Sequence, residues 1–123
     1  KQLTELNLSG HDFQDLKGIE AFEALETLNC TSNRISTLQY IKQLENLKNL
    51  IIRDNNMSTL DGIDELEEVE YVNALYNQKL RSIAGVEDLA SLQVLCVPSY
   101  KTRIIKQLDK LKKIKPDVEV RSV

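Results

Sequence analysis

The 123-residue chain repeats itself every 22 residues, and this period restricts its folding more than any other feature. The first unit begins at Leu3 (LTELNLSGHDFQDLKGIEAFEA), the second at Leu25 (LETLNCTSNRISTLQYIKQLEN) and the third at Leu47 (LKNLIIRDNNMSTLDGIDELEE). A fourth unit of 23 residues begins at Val69, and a fifth begins at Leu92 and departs from the pattern after LQVLCVPSY. The first column of the repeat holds Leu3, Leu25, Leu47, Val69 and Leu92, and the fourth holds Leu6, Leu28, Leu50, Val72 and Leu95. The sixth holds Leu8, Cys30, Ile52, Ala74 and Val97. A unit this short cannot bury its own apolar face, so consecutive units must stack and share one continuous core.

Columns four and six alternate with polar neighbours, which is the period of a strand. Strands of successive units then lie parallel, about 4.8 Å apart. The return segment places apolar residues three apart, as in Leu38, Ile41, Leu44 and Leu47, a spacing that suits short helical or 3₁₀ turns. The ninth column holds His11, Asn33, Asn55, Asn77 and Tyr100. An asparagine there can hydrogen-bond the backbone groups that a bend leaves unpaired.

These columns spell L-x-x-L-x-L-x-x-N/C-x-L, and on that motif the chain resembles the leucine-rich repeat family. The even 22-residue spacing is similar to that of intracellular regulators of protein phosphatase 1, and internalin-type bacterial surface proteins share it. The resemblance implies an α/β right-handed solenoid with a parallel sheet on the concave face and short helical or 3₁₀ turns on the convex face. One domain is expected over residues 1–123, with a cap at 100–123. Within the cap, Ile104, Ile105, Leu108, Leu111 and Ile114 form one helical stripe, Pro116 ends the helix, and Val118 and Val120 alternate as a last strand. Tyr100, Lys101, Ile104, Leu108 and Leu111 resemble the C-terminal cap of the phosphatase-regulator subclass, although Asp109 stands where that subclass usually has proline. No comparable cap precedes Leu3. Leu3, Leu6, Leu8 and Leu16 are expected at an open end, covered by an upstream flanking segment, a partner or a dimer. The chain opens at Lys1 without an initiator methionine and is read as trimmed or cut from something larger.

Cys30 occupies a core column, where its equivalents are Leu8 and Ile52, and is read as a small core hydrophobe. Three strand spacings, about 14 Å, separate it from Cys96, whereas a disulfide needs α-carbons within about 7 Å. Two unpaired thiols favour a reducing compartment, so the expected location is cytoplasmic. The triplets at Asn7, Asn29 and Asn56 that match a glycosylation acceptor are read as incidental. His11, the single histidine, is read as a polar turn residue of an edge repeat. The extra residue between Asn77 and Leu80, with small Ala74 nearby, predicts a local bulge able to re-aim side chains near a binding face.

In a leucine-rich repeat, the third, fifth, seventh and eighth positions face outward from the sheet. The first two units present small polar groups there. Later units present Ile51, Tyr71, Leu75, Tyr76, Val94 and Cys96, bordered by Arg53, Asp54 and Asn73. An apolar patch with a polar rim predicts a binding surface, and tyrosine and arginine are common anchors in one.

A net charge of −3 argues against a nucleic-acid binder, and no apolar run is long enough to span a bilayer. Asp61, Asp64, Glu65, Glu67, Glu68 and Glu70 cluster without a basic residue, while Lys101 to Lys115 holds seven basic residues and one acid. Both runs are read as solvated faces. No GxGxxG, P-loop, HExxH or CxxC motif is present, and no catalytic residue, metal or cofactor is expected. The expected function is a non-enzymatic module that binds a protein partner through the concave face, as a regulator or recognition domain. The alternatives are a non-catalytic piece of a larger enzyme, or a binder of anionic ligands through the basic cap.

Overall fold

A computed structural model describes residues 2–122. Five strands of three residues recur at the same place in each unit: β1 (Glu5–Asn7), β2 (Thr27–Asn29), β3 (Asn49–Ile51), β4 (Tyr71–Asn73) and β5 (Val94–Cys96). A helix, α1 (Thr102–Ile114), and a sixth strand, β6 (Glu119–Arg121), follow. The strands form one parallel sheet in chain order. Its register reproduces the repeat, with Leu6 paired to Leu28, Leu28 to Leu50, Leu50 to Val72 and Val72 to Leu95. Each of the first four units returns through one 3₁₀ turn, at Ile19–Ala21, Ile41–Gln43, Ile63–Glu65 and Val86–Asp88, and the first residue of each turn is buried. The expected solenoid, with its sheet on one face and short turns on the other, is therefore present.

The core is a continuous column. Leu28, Leu50, Val72 and Leu95 contribute from the strands, Cys30, Ile52, Ala74 and Val97 from just beyond them, and Leu44, Leu66 and Leu89 from the turns, all buried. At its N-terminal end the column is open. Leu3 is 44% exposed, Phe13 and Phe22 are also exposed, and Leu6 and Leu8 are only partly buried. At the other end α1 and β6 close it. Ile104, Leu108 and Leu111 are buried, a spacing of four and then three residues that keeps them on one side of the helix. Ile105 and Ile114 do not belong to this stripe and are exposed. Ile105 is one residue on from Ile104, about 100° around the helix, and so turns away from the core.

The ninth-column asparagines bind one unit to the previous one. Asn55 Nδ2 donates to the carbonyls of Cys30 and Ile52, and its Oδ1 accepts from the Ile35 N–H. Asn77 repeats this with Ile52, Ala74 and Met57, and Asn33 with Leu8, Cys30 and Phe13. The ladder changes chemistry at each end. His11 is exposed in the first unit. In the fifth, the Tyr100 hydroxyl donates to the Asn77 carbonyl at 3.4 Å, and Gln107 of α1 accepts from the Ile83 N–H at 2.8 Å.

The extra residue of the fourth unit does not bulge the sheet, because β4 and β5 pair in unbroken register. It is absorbed beyond the strand, in a turn closed by the Leu80 N–H donating to the Asn77 carbonyl. Gln78 and Lys79 stand exposed on that turn.

Candidate binding surface

Each of the first four strands leaves the sheet through a bend that places the eighth column in the left-handed region. Gly10, Ser32, Asp54 and Tyr76 have φ of 72°, 58°, 55° and 61°. Glycine and aspartate are ordinary occupants of such a position, whereas an aromatic residue is not. The bend holds Tyr76 there because its neighbours leave it no alternative: the Asp54 N–H donates to the Leu75 carbonyl, and Asn77 is locked in the ladder. As a result the Tyr76 side chain stands half exposed at the rim of the sheet, with the Arg53 guanidinium stacked 4.5 Å from its ring centre.

A second asparagine column, at position five, rigidifies the same bends. Asn7, Asn29 and Asn73 each accept, through Oδ1, from the backbone N–H two residues on. In the first two units the hydroxyls of Ser9 and Thr31 donate to the same oxygen. Both of these asparagines, which match the glycosylation triplet, therefore use it for a local hydrogen-bonded turn.

The candidate residues divide by exposure. Tyr76 and Asp54 are exposed, and Ile51, Arg53, Tyr71, Leu75 and Val94 are half-buried. Cys96 and Asn73 are not exposed as position five implies, with only 2% and 8% of their surface accessible. The cause is crowding on the sheet. The Tyr71 hydroxyl accepts from Asn73 Nδ2 at 3.2 Å and lies 3.8 Å from the Cys96 thiol, while β6 covers the other flank of β5. Cys96 is thus a packing residue rather than an accessible thiol. Burial, followed by the Cys96 contact, pushes the Tyr71 phenol above its ordinary ionisation range. Cys30, bonded to the Ile51 carbonyl, has its thiol pushed up to about 12 by burial.

Two clefts flank the Tyr76 ring. A cleft of about 620 Å³ is lined by Arg53, Asp54, Asn56, Gln78 and Lys79 on one side. A cleft of about 400 Å³ is lined by Leu75, Pro98, Tyr100 and Gln78 on the other. Sequence columns alone miss Gln78, Lys79 and Tyr100 as members of this surface. The single inserted residue was the signal for the first two, and the ninth-column position of Tyr100, in line with Asn77, was the signal for the third.

The acidic run lies on the convex side, where Asp61, Asp64, Glu65, Glu67 and Glu68 are exposed and Glu65 pairs with Lys42. Among the described residues no three His, Cys, Asp or Glu side chains converge on a common point suited to a metal ion. No helix among them is long and apolar enough to cross a membrane.

Comparison with known proteins adds to the fold. No family model and no curated protein sequence matches the chain. Among solved structures, it is similar to a leucine-rich repeat protein of Leptospira interrogans, with a TM-score of 0.68 and 23% identity. It is also similar to an internalin of Listeria monocytogenes, with a TM-score of 0.62 and 13% identity. The match takes in 96% and 98% of this chain but only 36% and 43% of those two, so the chain spans well under half the length of either. The likeness shows that the architecture is a leucine-rich repeat solenoid.

Proposed function

We propose that this leucine-rich repeat solenoid is a protein-recognition module whose partner docks on the concave side, over the third to fifth units. One observation carries the reading. The side chains offered there are large, anchored and only partly covered: Tyr71 is held by Asn73, Tyr76 by Arg53, and Leu75 and Val94 lie half-buried beside them. Aromatic side chains fixed before binding lose little entropy on contact, which is what binding hot spots require. The first two units offer Glu5, Asn7, Thr27 and Asn29 on the same face, and no comparable anchor. The module acts without catalysis, as a regulator or as the recognition segment of a longer protein. Its two free, buried cysteines suit a reducing, cytoplasmic setting.

A second reading has its own observation. Arg103, Lys106 and Lys110 line a shallow depression on the outer side of α1, where an anionic ligand would find three cations together. Binding that weakens steeply with salt is the signature of that mode.

The test is capture from a native lysate by the wild-type chain and by the Tyr71→Ala/Tyr76→Ala variant, read by mass spectrometry. A protein held by the wild type and lost from the variant supports the concave face. Partners held equally by both would move the site elsewhere on the molecule.

A further inference from the structure

The two clefts beside Tyr76 differ in chemistry, and the difference specifies an occupant. The larger one holds two cations, Arg53 and Lys79. Neither is paired with a carboxylate among the described residues, where the ion pairs join Arg34 to Asp12, Lys42 to Glu65, Lys48 to Glu26 and Arg121 to Glu119. The acid in that cleft, Asp54, already accepts from the Ser32 hydroxyl at 2.8 Å. The Arg53 guanidinium lies over the Tyr76 ring and donates no side-chain hydrogen bond among the described residues, which leaves its N–H groups for a ligand carboxylate, a partner that guanidinium can meet in two-point contact. The smaller cleft is walled by Leu75, Pro98 and the rings of Tyr76 and Tyr100. It carries a third cation at its border, where Lys101 donates to the Gln78 carbonyl.

We infer that the paired clefts recognise an extended acidic peptide segment of the partner protein. One large apolar side chain seats between Tyr76 and Tyr100, and a neighbouring Asp or Glu lies against Arg53 and Lys79. The inference rests on the protein-recognition reading above and names the chemistry of the partner. Geometry also sets the spacing. Arg53 covers one face of the Tyr76 ring at 4.5 Å, so an apolar group seated on the other face lies about 8 Å from the guanidinium, a distance that the acid's own side chain helps to span. In an extended chain, side chains two residues apart on one face are separated by about 6.6 Å. The recognised element is therefore an apolar residue, any residue, then an acid, in either chain direction, straddling Tyr76. The inserted residue of the fourth unit acquires a role here, because the turn it enlarges carries both Gln78 and Lys79.

The test uses the intact chain on an array of blocked octapeptides in a Gly/Ser background. Each peptide has one Leu or Phe and one Glu separated by zero to three residues. Matched peptides carry Lys in place of Glu, or Ala in place of the apolar residue. The expected result is strongest binding with one intervening residue, lost in both control sets. Lys79→Glu, an exposed change, should lower it about tenfold, since it exchanges an attraction for a repulsion. Equal binding of Glu and Lys peptides, binding of acid-only peptides as strong as the paired ones, or binding of no peptide would overturn the inference. The two levels separate on the captured partner. Loss with Tyr71→Ala and retention with Lys79→Glu would remove the cleft assignment and leave the concave face standing, whereas retention by both variants would remove both.

Discussion

The guanidinium of Arg53 lies 4.5 Å from the ring centre of Tyr76, one unit further along the solenoid, and Tyr76 is held at φ 61° to meet it. A backbone conformation unfavourable to an aromatic residue is thus maintained where the side chain stands half exposed. Strain of this kind costs about 1–2 kcal/mol for a residue with a β-carbon, and the stacking returns only about 0.5–1 kcal/mol at an exposed site. Tyr76→Gly should therefore leave the fold as stable as before or up to about 1.5 kcal/mol more stable, while abolishing partner binding. Urea denaturation beside a binding assay checks both halves. A loss of more than about 2 kcal/mol, well beyond the cost of an ordinary surface substitution, would mean that Tyr76 serves the fold rather than the surface.

The asparagine ladder predicts a cost that burial alone does not. Asn55→Leu substitutes an apolar side chain of roughly similar size, leaves the buried Ile35 N–H without a partner, and removes one of the two asparagine donors at each of the Cys30 and Ile52 carbonyls, which keep Asn33 and Asn77. A buried group left unpaired costs about 1–3 kcal/mol, so the variant should lose at least about 1 kcal/mol, more than Asn56→Ala on the exposed side of the same turn. A denaturation midpoint equal for the two would remove the ladder from the account.

Packing within the column is tested at Leu50 and Gly85. Leu50 is fully buried at the centre of the sheet, and Leu50→Ala should cost about 2–5 kcal/mol by leaving a cavity. Gly85 combines φ of 106° with a neighbour, Ile63 Cγ2, that would lie 2.9 Å from an added β-carbon. Gly85→Ala should destabilise by about 1–3 kcal/mol, whereas Gly18→Ala, with the same backbone sign but open space around it, should cost less.

Cys30 predicts a pH dependence. Its thiol ordinarily ionises near 9.0 but holds its proton to about 12 in the folded chain. The unfolded chain therefore loses that proton first as pH rises, and unfolding is favoured. The contribution is fully present below pH 9 and is lost between 9 and 12, at up to about 1.4 kcal/mol per pH unit. Tyr71, shifted upward by burial, acts in the same direction. The stability advantage of the wild type over Cys30→Ala should shrink from pH 7 to pH 11. In the native state at neutral pH neither Cys30 nor Cys96 should react quickly with a thiol reagent. A rapid single-thiol phase would contradict the burial of Cys96.

The sequence carries the sheet almost completely, because a strand register that advances by a fixed number of residues is visible as columns of leucine. Cys30 could be assigned to the core from Leu8 and Ile52 alone. Exposure on the concave face was harder to read. Cys96 and Asn73 share a column with Ile51, but they carry polar atoms that bond to the Tyr71 hydroxyl, and Cys96 also adjoins β6, which belongs to no repeat. The exposure of Ile105 and Ile114 likewise depends on how α1 rotates against the last unit, which periodicity leaves open by one residue in each direction. The left-handed backbone of the eighth column was invisible at Tyr76, since nothing in the residue type predicts it. The inserted residue was legible, but not its result, which is an enlarged rim turn rather than a bulge in the strand.

The most direct test of partner binding on the concave side is photo-crosslinking in a native lysate. A benzophenone amino acid replaces Val94 on the concave face in one variant and Glu67 on the convex face in the other. The account predicts one discrete adduct from position 94 and none from position 67. Adducts from position 67 alone, or from neither position, would contradict it.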